Sequence, residues 1–199
     1  MDLGIIERMV CPRGHASSLV VRADAVGVGR LEAGALGCPE CNEEWPVVMG
    51  AAQFGARSRM DAIDAGDPMA VAAFLNLTEP GLAIVCDGAR PDLLNALALE
   101  FGALIIAMDA ADAPSAVAGV VDGAARVPFG NAALRGALLL RPARSAEFVE
   151  SAVHAVAHGS RVVAAAAIAA TTEMRQLARD ERLWVAERGS APVALRRAR

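Results

Sequence analysis

The sequence predicts an α/β protein in two parts: a small metal-binding module, then a mostly parallel sheet between helices, ending in an antiparallel hairpin. Three observations carry this. Cys11, His15, Cys38 and Cys41 form two short ligand pairs, C-P-R-G-H at 11–15 and C-P-E-C at 38–41. From residue 82 onward, short apolar runs alternate with stretches of helical periodicity, the pattern of strands buried on both faces and separated by helices. The chain of 199 residues is 55% hydrophobic, enough for a sizeable core and too apolar for a disordered chain.

The first part spans 1–55. Residues 3–9 read as a helical turn leading into the first knuckle. Leu19–Arg22 and Gly34–Gly37 flank a Gly- and Ala-rich loop, which suits a β-hairpin carrying the second knuckle. Zinc takes four soft or borderline ligands in a tetrahedron, and two closely spaced pairs supply them. Three of the four cysteines fall into this arrangement, which therefore reads as a zinc ribbon rather than a disulfide set. The first knuckle has Gly14 where a C-x2-C pair would place cysteine, with His15 one position on. A C-x3-H knuckle is chemically sound; the alternative is a degenerate ribbon without metal and with His15 merely exposed. Three thiolates and the knuckle prolines Pro12 and Pro39 favour the metal. Arg13 reads as a solvated turn residue, and Trp45 and Phe54 as packing anchors.

Residues 56–67 carry charges, Gly and Ser with little periodicity and read as a linker. The second part spans 68–199. Asp67 caps a helix from Pro68 to about Leu77. Leu82–Cys86 is a buried strand, Pro91–Phe101 a helix and Ala103–Met108 a second strand. Ala124–Val127 reads as a third strand and Gly136–Leu140 as a fourth. Ser145–Ala157 is a helix closed by Gly159, and Arg161–Ala167 is a fifth strand. Thr171–Arg179 reads as a helix, and Arg182–Glu187 with Ala191–Arg197 as the terminal hairpin.

Composition excludes several functions. All 19 basic residues are arginines against 23 acidic ones, a formal charge of −4, so there is no global footprint for DNA. The apolar run Val162–Ala170 is too short for a membrane span, and the Met1–Arg8 segment lacks the pattern of a secretion signal. Thiolate ligands without an export signal point to a reducing cytoplasm. No P-loop, Gly-x-Ser-x-Gly or paired-carboxylate constellation is present. His154 and His158, read as i and i+4 on one helix, have no third ligand named by sequence, and Cys86 reads as a small apolar core residue. The basic end, Arg188 to Arg199, offers RNA phosphate a contact, with a solvated terminus as the plainer reading.

Ile5-Ile6-Glu7-Arg8-Met9-Val10-Cys11-Pro12, the Cys38–Cys41 knuckle, Trp45-Pro46-Val47 and Gly50 resemble the small zinc-ribbon family that activates RNA and protein methyltransferases. That resemblance covers about residues 4–54. The stretch Ala124–Leu140, with Val127-Pro128-Phe129 before the fourth strand, and the turn Val156–Val163 resemble a Rossmann-like S-adenosylmethionine methyltransferase domain over about residues 68–198. This resemblance implies a cofactor site at the carboxyl ends of the first strands, where Asp87, Gly88 and Asp109 are the matching positions. Asp109 would take both ribose hydroxyls. Against it, the first loop, Asp87–Asp92, carries one glycine, an intruding Arg90 and Pro91, which lacks an amide donor. The register puts Gly123, not Asp122, at the expected adenine acid, and no catalytic group follows the fourth strand. Two readings result. The chain is a zinc-binding, methyltransferase-like protein without ordinary methyl transfer that works as an adaptor or regulator of a protein partner or as a homo-oligomer. Alternatively it is an active methyltransferase acting on RNA or a small molecule.

Overall fold

The computed structural model describes residues 1–57, 61–110 and 112–189. Asp2 accepts the Ile5 amide at 3.3 Å and caps the single turn α1 (Leu3–Ile6). Four strands follow, each antiparallel to its predecessor: β1 (Val20–Gly27), β2 (Arg30–Gly37), β3 (Glu44–Val48) and β4 (Ala51–Gln53). The Asp67 carboxylate caps α2 (Pro68–Leu75), with Pro68 in the first turn and Asn76 ending the helix in a left-handed conformation. Next come β5 (Ala83–Asp87), α3 (Pro91–Leu99), β6 (Leu104–Met108), β7 (Gly119–Asp122) and β8 (Leu134–Leu139). The chain then forms α4 (Ala146–Ala155), β9 (Val156–Ala165), β10 (Met174–Arg179) and β11 (Leu183–Arg188).

All eleven strands join one sheet in the order β1-β2-β3-β4-β7-β6-β5-β8-β9-β11-β10. The block from β7 through β9 is parallel and reverses its order at β5, the doubly wound arrangement of Rossmann-like folds. The sheet as a whole is mixed rather than mostly parallel: five pairings are antiparallel and five parallel. The cause is β4, which pairs in parallel with β7 and brings the antiparallel β1–β4 strands into the same sheet.

Other expectations are corrected locally. The 171–179 segment is not a helix: its Met-Arg-Gln-Leu-Ala-Arg is the strand β10, because pairing with β11 overrides helix propensity. The terminal hairpin is accordingly β10–β11, turned by the Asp180 carboxylate accepting the amides of Arg182 and Leu183 at 2.7 Å each. The proposed partner strand 191–197 and most of the basic tail lie outside the described residues. The third strand is Gly119–Asp122, not 124–127; Val127–Phe129 instead runs against the amino-terminal segment, where Val10 donates to Pro128 and Met9 bridges Phe129. Gly159 does not close a helix but lies within β9, where the pairing register with β8 shifts. No helix among the described residues is long and apolar enough to cross a membrane.

Strict alternation along the central strands separates two cores. Ile84 and Cys86, Ile105 and Ala107, Leu138 and Val163 face α2 and α3 through Val71, Leu75, Leu93 and Leu97. Ala83 and Val85, Ile106 and Met108, Leu139 and Val162 face the other way. That second face is covered by α4, through Phe148, Val149 and Val153, and by Met1, Ile5, Met9, Leu31 and Phe129. Burying each such side chain contributes about 1.5–3 kcal/mol. Replacing Ile5, fully buried, with alanine is expected to lower the unfolding free energy by about 2–5 kcal/mol. Val28→Ala at a fully exposed position should stay within about 0.5 kcal/mol, and urea titration of both variants checks the contrast.

Candidate functional site

The two knuckles bring their four ligands together. Gly14 turns the first knuckle with φ +93° and donates to the Cys11 carbonyl at 3.1 Å, a backbone conformation that cysteine at this position would strain. The second knuckle closes on itself as Asn42 donates to the Cys38 carbonyl and Cys38 to that of Glu43, both at 2.9 Å. The ligand atoms of Cys11, His15, Cys38 and Cys41 all lie within 4.8 Å of one another. Cys11 Sγ and Cys41 Sγ are 3.8 Å apart, and His15 Nδ1 is 3.6 Å from Cys38 Sγ. A tetrahedron with metal–sulfur bonds of about 2.3 Å spaces its sulfurs by about 3.8 Å, so three sulfurs and one nitrogen fit zinc. Burial pushes the Cys11 thiol up to about 11. Burial opposes ionisation of Cys38 too, but the amides of Cys41 and Glu40 and the His15 ring bring it down to about 6. Arg13, expected to be merely solvated, holds Glu43 through two hydrogen bonds of 2.9 and 3.0 Å and ties the knuckles together on the surface. Trp45 and Phe54 pack edge to face at 5.2 Å.

The second candidate lies where the strand order reverses. In open α/β sheets, ligands bind in the crevice at the carboxyl ends of the strands at this switch point. Asp87 ends β5, Asp109 follows β6, and Arg141 follows β8, so all three converge there. The residues with the dominant role, Arg141 and Arg144, are ones that the sequence reading passed over. Arg144 Nη2 donates to Asp87 Oδ1 and to Asp109 Oδ2, each at 2.6 Å, and its Nε donates to Asp87 Oδ2 at 3.1 Å. Its guanidinium also lies 4.3 Å over the Phe148 ring. Arg141 Nη1 donates to Asp87 Oδ1 at 3.2 Å and lies 3.6 Å from Asp109 Oδ2. Arg141 Nη2 donates to the Asp109 carbonyl at 3.2 Å.

Both carboxylates are buried, at 0% and 1% side-chain exposure, while Arg144 retains 14%. Burial raises the Asp87 pKa despite the opposing charges of Arg144 and Arg141. Burial likewise opposes the Arg144 charge, but hydrogen bonding and attraction from Asp87 and Asp109 outweigh it and raise its pKa. Asp109 adopts φ +50°, a left-handed conformation that costs a non-glycine residue energy. This aims its Oδ1 at the Gly123 amide, 2.7 Å away. Gly88 has no room for a ligand on one side: a Cβ there would stand 2.6 Å from Arg141 Cγ.

The remaining candidates resolve simply. Asp122 ends β7 and accepts both Arg57 Nε at 2.9 Å and Nη2 at 2.6 Å. His154 lies in the last turn of α4 and His158 in β9, so they do not share a helix and do not form the i, i+4 pair. Burial pushes the Cys86 thiol up and keeps it inert. The signal for Arg141 and Arg144 was present as two arginines three residues apart, just past a buried strand that the switch-point rule places beside Asp87.

No family model matches the sequence, and no curated protein matches it. Among solved structures, a SAM-dependent methyltransferase from Aquifex aeolicus is similar at 10% identity and a TM-score of 0.45, over 60% of this chain and 87% of that one. A SAM-dependent methyltransferase from Geobacter sulfurreducens in complex with S-adenosyl-L-homocysteine is similar at 17% identity and a TM-score of 0.41, over 54% and 50%. The (4+2)-cyclase SpnF follows at 11% identity and 0.40, over 55% and 52%. The chain thus spans about half the length of the last two.

Removing one partner from a buried ion cluster leaves an uncompensated charge. Arg144→Met is therefore expected to destabilise the chain by about 3–5 kcal/mol, measured by urea unfolding at neutral pH. An effect under about 1 kcal/mol would mean that the cluster is solvated.

Proposed function

We propose that this chain is a zinc-binding, methyltransferase-like protein that acts as an adaptor or regulator of a partner rather than by ordinary methyl transfer. One observation carries the reading: the Asp109 carboxylate is already engaged, by the Gly123 amide on one oxygen and Arg144 on the other. An acid at this position is the one expected to take the ribose hydroxyls of S-adenosylmethionine, and here each oxygen already accepts one hydrogen bond, so a ribose would have to share them. Arg141 lies against Gly88, and two guanidinium groups gather at the same strand ends, a setting that disfavours a cationic sulfonium. These contacts weigh against that cofactor.

The second reading, an active methyltransferase with an unusual cofactor loop, is favoured by one feature. A cavity of about 470 Å³ is lined by Arg57, Cys86, Gly88, Asp109 and Arg141, among others, a volume within the range of small-molecule sites. Calorimetric titration with S-adenosylmethionine and S-adenosylhomocysteine separates the two. The expected result is no binding by the native chain. Micromolar binding that Asp109→Ala abolishes would establish the second reading instead.

For zinc, the fit is good. Cys11, His15, Cys38 and Cys41 would hold it with all four positions filled by protein, the closed coordination of a structural rather than a catalytic site. Its chemistry there is a cross-link between the knuckles, and its thiolate ligands call for the reducing cytoplasm. The partner we favour is a protein, since a net charge of −4 gives nucleic-acid phosphate little to bind.

Elemental analysis is expected to find one zinc per chain, lost in Cys38→Ser and reduced in His15→Ala. Because metal binding is coupled to folding, chelation should lower the melting temperature by at least about 5 °C. Full occupancy in His15→Ala would remove His15 from the ligand set.

A further inference from the structure

Among the described residues, the strand β1 is one outer edge of the sheet and pairs with β2 alone. Seven of its eight residues, Val20 to Val26, are exposed. An edge of this length presents a row of backbone donors and acceptors that another strand can pair with. About Ala23 of its sequence, Val-Val-Arg-Ala-Asp-Ala-Val, Val20 mirrors Val26, Val21 the smaller Ala25, and Arg22 the oppositely charged Asp24.

We propose that β1 pairs antiparallel with β1 of a second copy of this chain, about a twofold axis through Ala23. That register sets Arg22 opposite the partner's Asp24, and Asp24 opposite the partner's Arg22. It also sets Val20, 60% exposed, against the partner's Val26, 55% exposed. The two charged side chains already reach the same side of the strand, since Arg22 Nη1 lies 3.4 Å from Asp24 Oδ1 within one chain, and both are mostly exposed. Pairing exchanges one weak intrachain contact for two cross-strand ion pairs and returns the edge valines to an apolar setting. Slipping the register by one residue sets Arg22 against an alanine and loses both ion pairs, so the charges select this alignment. The register with β2 shifts on either side of Ala25, which adds twist and keeps the paired ribbon short. The association is therefore concentration-dependent rather than permanent.

Among the described residues the opposite edge is β10, which lacks this self-complementarity. Antiparallel pairing of Met174–Arg179 about Leu177 would set Arg175 against the partner's Arg179, like charge against like. Those arginines are committed within the chain, Arg175 to Glu187 at 3.1 Å and Arg179 to the Ala166 carbonyl at 2.9 Å. Pairing the self-complementary edge about a twofold axis uses β1 of both copies and yields a closed dimer rather than a filament.

The dimer deepens the binding role proposed above by naming a second copy as a partner, although its geometry is independent of the cofactor crevice. Sedimentation equilibrium of the full zinc-loaded chain, from low to high micromolar concentration, tests it. The weight-average mass should rise from 20.5 kDa toward twice that value. Asp24→Arg and Arg22→Asp each set two like charges face to face and should weaken dimerisation by about tenfold or more. The double variant Arg22→Asp with Asp24→Arg restores the opposite-charge register and should restore the dimer. Far-UV melting and zinc content show that each surface variant is folded. A native chain that stays at 20.5 kDa, single variants that dimerise normally, or a double variant that stays monomeric each overturns the proposal. Titrating the same samples with S-adenosylmethionine keeps the two readings apart, because a monomer that binds no cofactor overturns the dimer alone.

Discussion

The structure depends on covering a sheet face that its own crossovers leave bare. Two connections in the parallel block, from β6 to β7 and from β7 to β8, contain no helix among the described residues. A parallel sheet needs apolar cover on both faces, and α4 packs mainly against β8 and β9. The amino-terminal segment supplies the rest. Met1, Ile5 and Met9 are buried to within 1% exposure in the same core as Ile106, Met108 and Val121. The backbone follows the side chains: Asp2 donates to the Ala118 carbonyl at 2.7 Å, and Gly130 donates to that of Arg8 at 3.3 Å. The β1–β4 strands are therefore drawn into the sheet through β4, and Cys11 and Cys38 of the two knuckles lie in its core.

The switch point shows a second constraint, electrostatic rather than hydrophobic. Two carboxylates end neighbouring strands in the interior, where neither can stay charged alone. Arg141 and Arg144 answer both from a single turn past β8. Such a cluster adds little net stability compared with apolar packing, because desolvating four charges offsets their attraction. Its effect is to fix positions. It holds the β5 and β6 ends at a set spacing, keeps Asp109 in a strained conformation and sets Arg141 against one side of Gly88.

Much of this was legible in the sequence wherever local rules decide. The metal quartet declared itself by ligand spacing, α2 by Asp67 and Pro68, and β5 and β6 by apolar runs stopped at aspartates. What was not legible is set by pairing across distance. Met174–Arg179 has no strong strand propensity and becomes β10 only because β11 is beside it. Gly119–Asp122 is short and small-sided, so Val127 drew attention that belonged to β7. The continuity of the sheet turns on three residues of β4 aligned with Val120–Asp122, which no periodicity announces. Arg141 and Arg144 escaped because a charged residue after a strand normally reads as solvated, and only the topology makes it interior.

A seam of specific bonds runs from the end of β4 to the switch point. Arg57, just beyond β4, grips Asp122 at the end of β7; the next residue, Gly123, donates to Asp109; and Asp109 holds Arg144. A chain of hydrogen bonds is not by itself a signal path, since transmission requires an element with two arrangements that both sites bias. Here the elements along the seam are strand ends locked by backbone pairing, and Phe54 fixes the same corner by donating to the Asp122 carbonyl at 2.9 Å. The knuckles and the switch-point cluster are thus built onto one continuous sheet.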